Sequence, residues 1–493
     1  MGAWVADSLS WAAPALLLEW PAFALAAVGA LTALLLDMGR LRRVAPAVTA
    51  MLLAAAGFVA YARALLPEAA GGGVGLFDEI VYVGGGFAGL AAVVYVVGAL
   101  ACATGLVTVP EGRRPGTAAL VAFAAAASQV LMGAADMVVL LVALEIVAVA
   151  SYAMVASAGS SRSQESATRY FVQGGVATGL LVFALAVLSG AHGGATSFVL
   201  VAESMSGETP RFAALGVLLL VSALAFKSGA FPFHSWVPDA YETTPSGAAS
   251  FLAAGPKAAA LGVLVVVMAV FGRAEQLAAL SSAYLVIALG SLLVGTFGAL
   301  RQRSFGRMLG YSAVAQVGYA VIGLISDPGV VPLFAATYAL GVTAAFVSAE
   351  AVGRVQGGWD GSIAGLAGLS RRSPVLATTL TVSMLSLTGI PLTAGFVGKL
   401  FVFLRAVDTG WVWLALAGAV ASVVSFGYYG AVIRVVFFGE ATNGVSPRLE
   451  KGQSNPPARR PALAALAAAG LVILLGIVPL VSGFAGVLRV FGL

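Results

Sequence analysis

The chain has 493 residues, 60% hydrophobic and 10% charged, with a mean hydropathy of +1.00. Soluble domains carry about 25% charged residues, so an ordinary soluble enzyme is excluded and nearly the whole length reads as membrane. The formal net charge of +5 marks arginines gathered on one side of a bilayer rather than a nucleic-acid surface, and a single cysteine, Cys102, excludes an internal disulfide, a Cys-ligated cluster and a zinc site within the chain.

A transmembrane helix needs about 20 apolar residues. Runs of that kind predict fourteen spans, near 12–36, 45–65, 84–109, 115–134, 137–157, 170–190, 211–233, 247–271, 276–300, 307–326, 329–352, 374–406, 411–438 and 461–491. The fold class is therefore all-α integral membrane, a single polytopic domain over 1–493. The loops between spans alternate in charge. Eighteen Lys and Arg fall on one side, from Arg40, Arg42 and Arg43 to Lys451, Arg459 and Arg460, against five on the other. By the positive-inside rule, the Arg-rich side is inside and both termini are outside. The N-terminus has no basic leader, so it does not read as a cleaved signal peptide.

In chain order, Glu19 and Asp37 flank the first span and read as interfacial. Gly84, Gly86 and Gly89 open the third span and match G-x-G-x-x-G. A dinucleotide site needs that turn inside a βαβ unit, and a membrane helix follows here instead. Asp136 begins the fifth span, where a carboxylate favours a helix N-terminus. Glu145 sits near the middle of that span, in MVVLLVALEIVAVASYAMV. A carboxylate at that depth is costly and needs a partner. His192 lies in an outside loop and reads as solvated.

The chain has only four lysines, and three lie in apolar runs: Lys227 in LLLVSALAFKSGAF, Lys257 in AAGPKAAALGVLVVV and Lys399 in LTAGFVGKLFVFL. An ammonium at the bilayer centre costs about 2.5–3.5 kcal/mol on insertion scales. Unlike arginine, lysine can give up its proton when desolvated. Such a row points to proton handling. Lys227 pairs naturally with Glu145, and weakening that pair would release its proton. Lys257 follows Gly255-Pro256, which suggests irregular backbone lining a cavity; snorkelling to the interface is the alternative.

Two spans carry breakers. Gly229 and Pro232 follow Lys227 in the seventh, and Gly389 and Pro391 precede Lys399 in the twelfth. Proline frees a carbonyl, tolerated in lipid only where protein or water satisfies it. Five spans separate the breaks, an odd number, so the two units have opposite topology. This predicts inverted repeats of spans 4–8 (115–271) and 9–13 (276–438), with N-terminal helices in 1–109 and a last helix in 461–491. The polar stretch 440–461 reads as an inside loop. His234, after the first break, either relays protons or faces the inside loop. Glu350 reads as a helix-end charge reaching the inner interface.

These residues carry a resemblance. FKSGAFPFHSWVPDAYETTPSGAASFLAAGPKAA, RMLGYSAVAQVGYAVIGL, GLSRRSPVLATTL and SLTGIPLTAGFVGKLFVF closely resemble the N subunits of proton-pumping NADH:quinone oxidoreductase, respiratory complex I. These are antiporter-like membrane subunits. The likeness runs from about 135 to 440, and the ending at Leu493 is similar to the N form rather than to the L form with its lateral helix. The resemblance implies a bacterial inner-membrane translocase subunit with proton transfer through Glu145, Lys227, Lys257 and Lys399. It implies no cofactor in this chain, with NADH, FMN, iron–sulfur clusters and quinone in partner subunits. The partners are other membrane-arm subunits and the lipid bilayer, with no nucleic acid. Many N subunits have a histidine where this chain has Gln316, so Tyr311, Ser312, Gln316 and Tyr319 become candidates for carrying the proton between Lys257 and Lys399. Rival readings are a multi-subunit cation/proton antiporter, a quinone-linked dehydrogenase with a donor other than NADH, and an inert scaffold.

Overall fold

The computed structural model describes residues 22–37, 41, 43–64, 74–76, 81–83, 85–191, 193–204, 211–271, 278–356, 359–440 and 459–482. The helices are α1 (Ala22–Asp37), α2 (Ala45–Ala64), α3 (Gly85–Ala103), α4 (Arg114–Met132), α5 (Met137–Ala156), α6 (Ser161–Ala191), α7 (Phe198–Ser204), α8 (Arg211–Ser228), α9 (Trp236–Thr243), α10 (Ser246–Phe271), α11 (Ala278–Leu300) and α12 (Phe305–Ser326). They continue with α13 (Val330–Val355), α14 (Leu369–Arg372), α15 (Pro374–Thr388), α16 (Ala394–Asp408), α17 (Val412–Phe438) and α18 (Arg459–Ser482). Ten are long and apolar enough to cross a membrane, and four shorter apolar helices accompany them, among the described residues. These match the fourteen expected spans one to one.

Both interrupted spans break where the sequence places Gly and Pro. α8 stops at Ser228, Gly229 takes φ +76°, and α9 resumes at Trp236. α15 stops at Thr388, Gly389 takes φ +93°, and α16 resumes at Ala394. A left-handed residue ends each half-helix, a conformation that glycine adopts without strain. α10, by contrast, runs unbroken through Pro256, so the expected irregular backbone at Gly255-Pro256 does not occur. Its Lys257 is also not at an interface.

One element departs from the all-helical expectation. Strands β1 (Val74–Leu76) and β2 (Val81–Val83) form a small antiparallel hairpin, with Val74 opposite Val83. Three residues a side are too short for alternation to announce a strand. The hairpin leads into α3, whose first turn holds Gly86, with Gly89 one turn on, so the glycine motif lies on no βαβ unit. Gly84, Glu19, His192 and most of 440–461 lie outside the described residues.

α13 is the axis of the fold. Every residue from Val330 to Val352 is buried, packed by α3, α10, α15, α16 and α18. α6 and α17 leave most of their length uncovered and form the rim. In lipid, helices associate through close backbone approach, which small residues permit. A Cβ on Gly295 of α11 would lie 2.3 Å from the Ala315 backbone nitrogen of α12, so that pair can approach only with glycine there. Gly310 plays the same part where α12 meets Pro238 of α9.

Candidate functional site

α5 begins with Asp136 as its N-cap. The carboxylate accepts from the Val138 and Val139 backbone N–H groups and from Thr196 Oγ1, as expected for an acid at a helix start. Two and a half turns on, Glu145 Oε1 lies 3.4 Å from Lys227 Nζ, at the end of α8. The Thr178 hydroxyl of α6 donates to the same carboxylate oxygen at 2.5 Å. The ammonium also lies 6.0 Å from the centre of the Tyr152 ring. The sequence-predicted pair is thus formed. Thr178 and Tyr152 are partners that reading missed, since a Thr or Tyr in an apolar helix carries no signal of its own.

Lys257 is 2% exposed and has no carboxylate partner among the described residues. Its Nζ donates to the Ala313 carbonyl of α12 at 3.3 Å and lies 5.8 Å from the Tyr241 ring centre. It also abuts the first break: a Cβ built on Gly229 would be 3.4 Å from Lys257 Nζ and 2.5 Å from Val237 Cγ2. Snorkelling is therefore excluded by position.

Lys399, on α16, is 4% exposed. Its three N–H donors are matched by three neutral acceptors: Leu387 O at 3.1 Å, Thr388 O at 2.8 Å and Ser422 Oγ at 3.1 Å. The two carbonyls are the orphans of the α15 end. Residue 391, which would donate to Leu387 O, is proline and has no N–H. The second break thus builds the cradle for the ammonium, which also lies 4.4 Å from the Tyr319 ring centre. Gly389 leaves room for the stem, since a Cβ there would be 2.9 Å from Lys399 Cδ.

The remaining candidates divide. Gln316 is buried, and its Nε2 donates to Leu387 O at 3.0 Å, sharing that carbonyl with Lys399. Ser312 contacts the Tyr429 hydroxyl. Tyr311 packs against Gly298 of α11, and no contact among the described residues draws it to a lysine. His234 is half-buried within the first break, its ring 5.9 Å from that of Phe231, with no contact to Lys227 or Lys257.

Glu350 corrects the sequence reading. It is fully buried rather than interfacial. Oε1 accepts from Thr108 N at 2.8 Å and Oε2 from Gly247 N at 2.8 Å, with the Thr108 hydroxyl also donating. The partners come from a loop 242 residues away and from the first turn of α10. At the Arg-rich end, Asp239 and Glu242 of α9 bind Arg307 of α12 at 2.5 and 3.2 Å. Arg162 of α6 reaches Glu242 at 2.9 Å. This network fixes the half-helix after the first break, and sequence reading passed over it.

Comparisons with known proteins agree with this architecture. The family described as "NADH:quinone oxidoreductase/Mrp antiporter, TM" matches residues 134–425. An NADH-quinone oxidoreductase subunit N from Heliobacterium modesticaldum is 38% identical over 320 residues. That alignment spans 63% of this chain and 66% of the relative, just under two thirds of its length. A subunit N from Erythrobacter litoralis is 32% identical over 80% of this chain and 83% of its own. Among solved structures, a chain of respiratory complex I from Thermus thermophilus with bound aureothin superposes with a TM-score of 0.74. It is 27% identical, covering 93% of this chain and 97% of that one.

Proposed function

The chain belongs to the NADH:quinone oxidoreductase/Mrp antiporter membrane family, and from that premise we propose that it is the proton-translocating N-type subunit of a bacterial NADH:quinone oxidoreductase. The observation that carries this reading is the set of three intramembrane lysines, Lys257 and Lys399 buried and Lys227 with a side chain 9% exposed. One is held by a carboxylate, one by a single carbonyl beside the first break, and one by the orphan carbonyls of the second. Protons enter the row at Glu145 and Lys227, pass to Lys257, and leave from Lys399. The Glu145–Lys227 pair is the control point. Opening it from 3.4 Å to about 7 Å halves the Coulomb attraction and lets desolvation favour neutral lysine.

The inverted repeats are α4–α10 and α11–α17, supported by two breaks that each place a left-handed glycine beside a lysine. Both termini lie outside, opposite the arginine-rich face. In this reading NADH oxidation and electron transfer belong to partner subunits carrying FMN and iron–sulfur clusters, as the likeness to subunit N implies. A membrane-arm partner also has a place to sit. The Glu145 side chain is 34% exposed, on a face where Val142, Ile146 and Val149 are uncovered. A mid-membrane carboxylate does not face lipid, so a neighbouring subunit covers it.

Copurification through a tag on this chain, with mass-spectrometric identification of the partners, tests the assignment. Flavin- and iron–sulfur-binding subunits are expected. Recovery of antiporter-like subunits alone, with sodium-dependent pH changes in vesicles lacking NADH, would replace it with a cation/proton antiporter.

A further inference from the structure

The proposed route has one stretch, between Lys257 and Lys399, where no lysine, histidine or carboxylate is found among the described residues. Gln316 lies in it, with one amide N–H donated to the Leu387 carbonyl and a contact to the Tyr429 hydroxyl, but an amide does not itself take up a proton near neutral pH. The stretch is occupied by tyrosines. Tyr241 lies under Lys257, its ring centre 5.8 Å from Nζ. Tyr338, on the central helix α13, interacts with Tyr241 on one side and with Tyr429 on the other. The Tyr429 ring is 4.4 Å from that of Tyr428. Tyr428 in turn interacts with Tyr319, whose ring centre is 4.4 Å from Lys399 Nζ.

The hydroxyls of Tyr241, Tyr338, Tyr428 and Tyr319 are buried and make no hydrogen bond of good geometry among the described residues, although Tyr241 and Tyr338 approach each other, Tyr428 approaches Tyr429 and Ser312, and Tyr319 approaches Ser422. A buried polar group left unpaired costs about 1–3 kcal/mol. Native structures resolve such groups with ordered water, which binds where several polar partners converge. Four hydroxyls without a well-formed bond, with the bonded Tyr429–Ser312 pair between them, meet that condition. Of the four, the sequence pointed only to Tyr319; Tyr241, Tyr338 and Tyr428 read there as further hydrophobic residues of apolar helices.

We propose that Tyr241, Tyr338, Tyr428 and Tyr319 form a water-holding row that carries the proton from Lys257 to Lys399. The inference rests on the proton-translocation reading above. One N–H bond of the Lys257 ammonium breaks, leaving a neutral amine. Along the row each oxygen accepts one proton as it releases another, so no phenolate forms. The last proton makes a new N–H bond on neutral Lys399. No oxidant or reductant is needed.

The test uses the whole complex in proteoliposomes, reading protons moved per NADH oxidised. Tyr338→Phe removes one oxygen and keeps the ring. It is expected to lower the ratio as far as Lys399→Ala does while NADH oxidation continues. Tyr284→Phe, which removes a buried unpaired hydroxyl on α11 outside the row, should leave the ratio unchanged. If Tyr338→Phe does not assemble, Tyr428→Phe carries the same expectation. A normal ratio in the Phe variant, with Lys399→Ala low, overturns the row and leaves the functional reading standing. A normal ratio in Lys399→Ala overturns both. An equal loss in Tyr284→Phe also overturns the row.

Discussion

Replacing Lys399 with alanine is expected to abolish this subunit's share of proton translocation while the complex still assembles and oxidises NADH. The chemistry is lost because, among the described residues, no other amine, imidazole or carboxylate contacts that cradle. Removing a positioned proton carrier slows transfer by about 10²-fold or more. Assembly survives because all three partners of the ammonium, Leu387 O, Thr388 O and Ser422 Oγ, are neutral. Taking the lysine away strands no buried charge, and the hydroxyl of Ser422 still donates to Thr388 O at 2.7 Å. The stability cost is held to about 2 kcal/mol. Native gel electrophoresis with NADH staining, beside proton uptake in proteoliposomes, checks both halves. Full translocation in the variant would refute the role given to Lys399.

Glu350→Ala should act the opposite way, on the fold rather than the chemistry. Both carboxylate oxygens accept buried N–H groups, one from Thr108 and one from Gly247. The side chain therefore ties the central helix α13 to the start of α10, the helix that carries Lys257, and to the loop after α3. That loop is strained, with Leu106 at φ +49°, and Arg114 holds its carbonyls at Val107 and Val109 from the other side. Alanine leaves two backbone N–H groups and a threonine hydroxyl unpaired, for a loss of roughly 3 kcal/mol or more. The expected result is a marked fall in the amount of assembled complex surviving a heating series. Glu350→Gln, which keeps one acceptor oxygen, should fall between the two. Unchanged heat resistance in the alanine variant would mean that these bonds contribute nothing net.

What the sequence made legible was local and costly. Fourteen apolar runs, two Gly/Pro breaks and three misplaced lysines each depart from background within a few residues. The Glu145–Lys227 pair followed because two opposite charges at similar depth have few other options. What stayed hidden depends on contacts across long separations. Glu350 looks interfacial by its place near a helix end, and only the folded chain brings Thr108 and Gly247 over it. Tyr338 and Tyr428 are indistinguishable in sequence from lipid-facing aromatics. The α9 carboxylates look like a solvated turn until Arg162 and Arg307 arrive from other helices. His234 shows the converse: its position beside a breaker was suggestive, yet it touches neither lysine.

Lys257 is the middle of the proposed route, buried and joined by a single hydrogen bond to Ala313 O. Methionine fills the same volume without a titratable group and leaves no charge unpaired. The decisive measurement is the number of protons moved per NADH oxidised in proteoliposomes carrying the Lys257→Met complex. A connected route predicts a reduced ratio with electron transfer still running. A ratio equal to that of the unaltered complex would contradict a proton path through this chain.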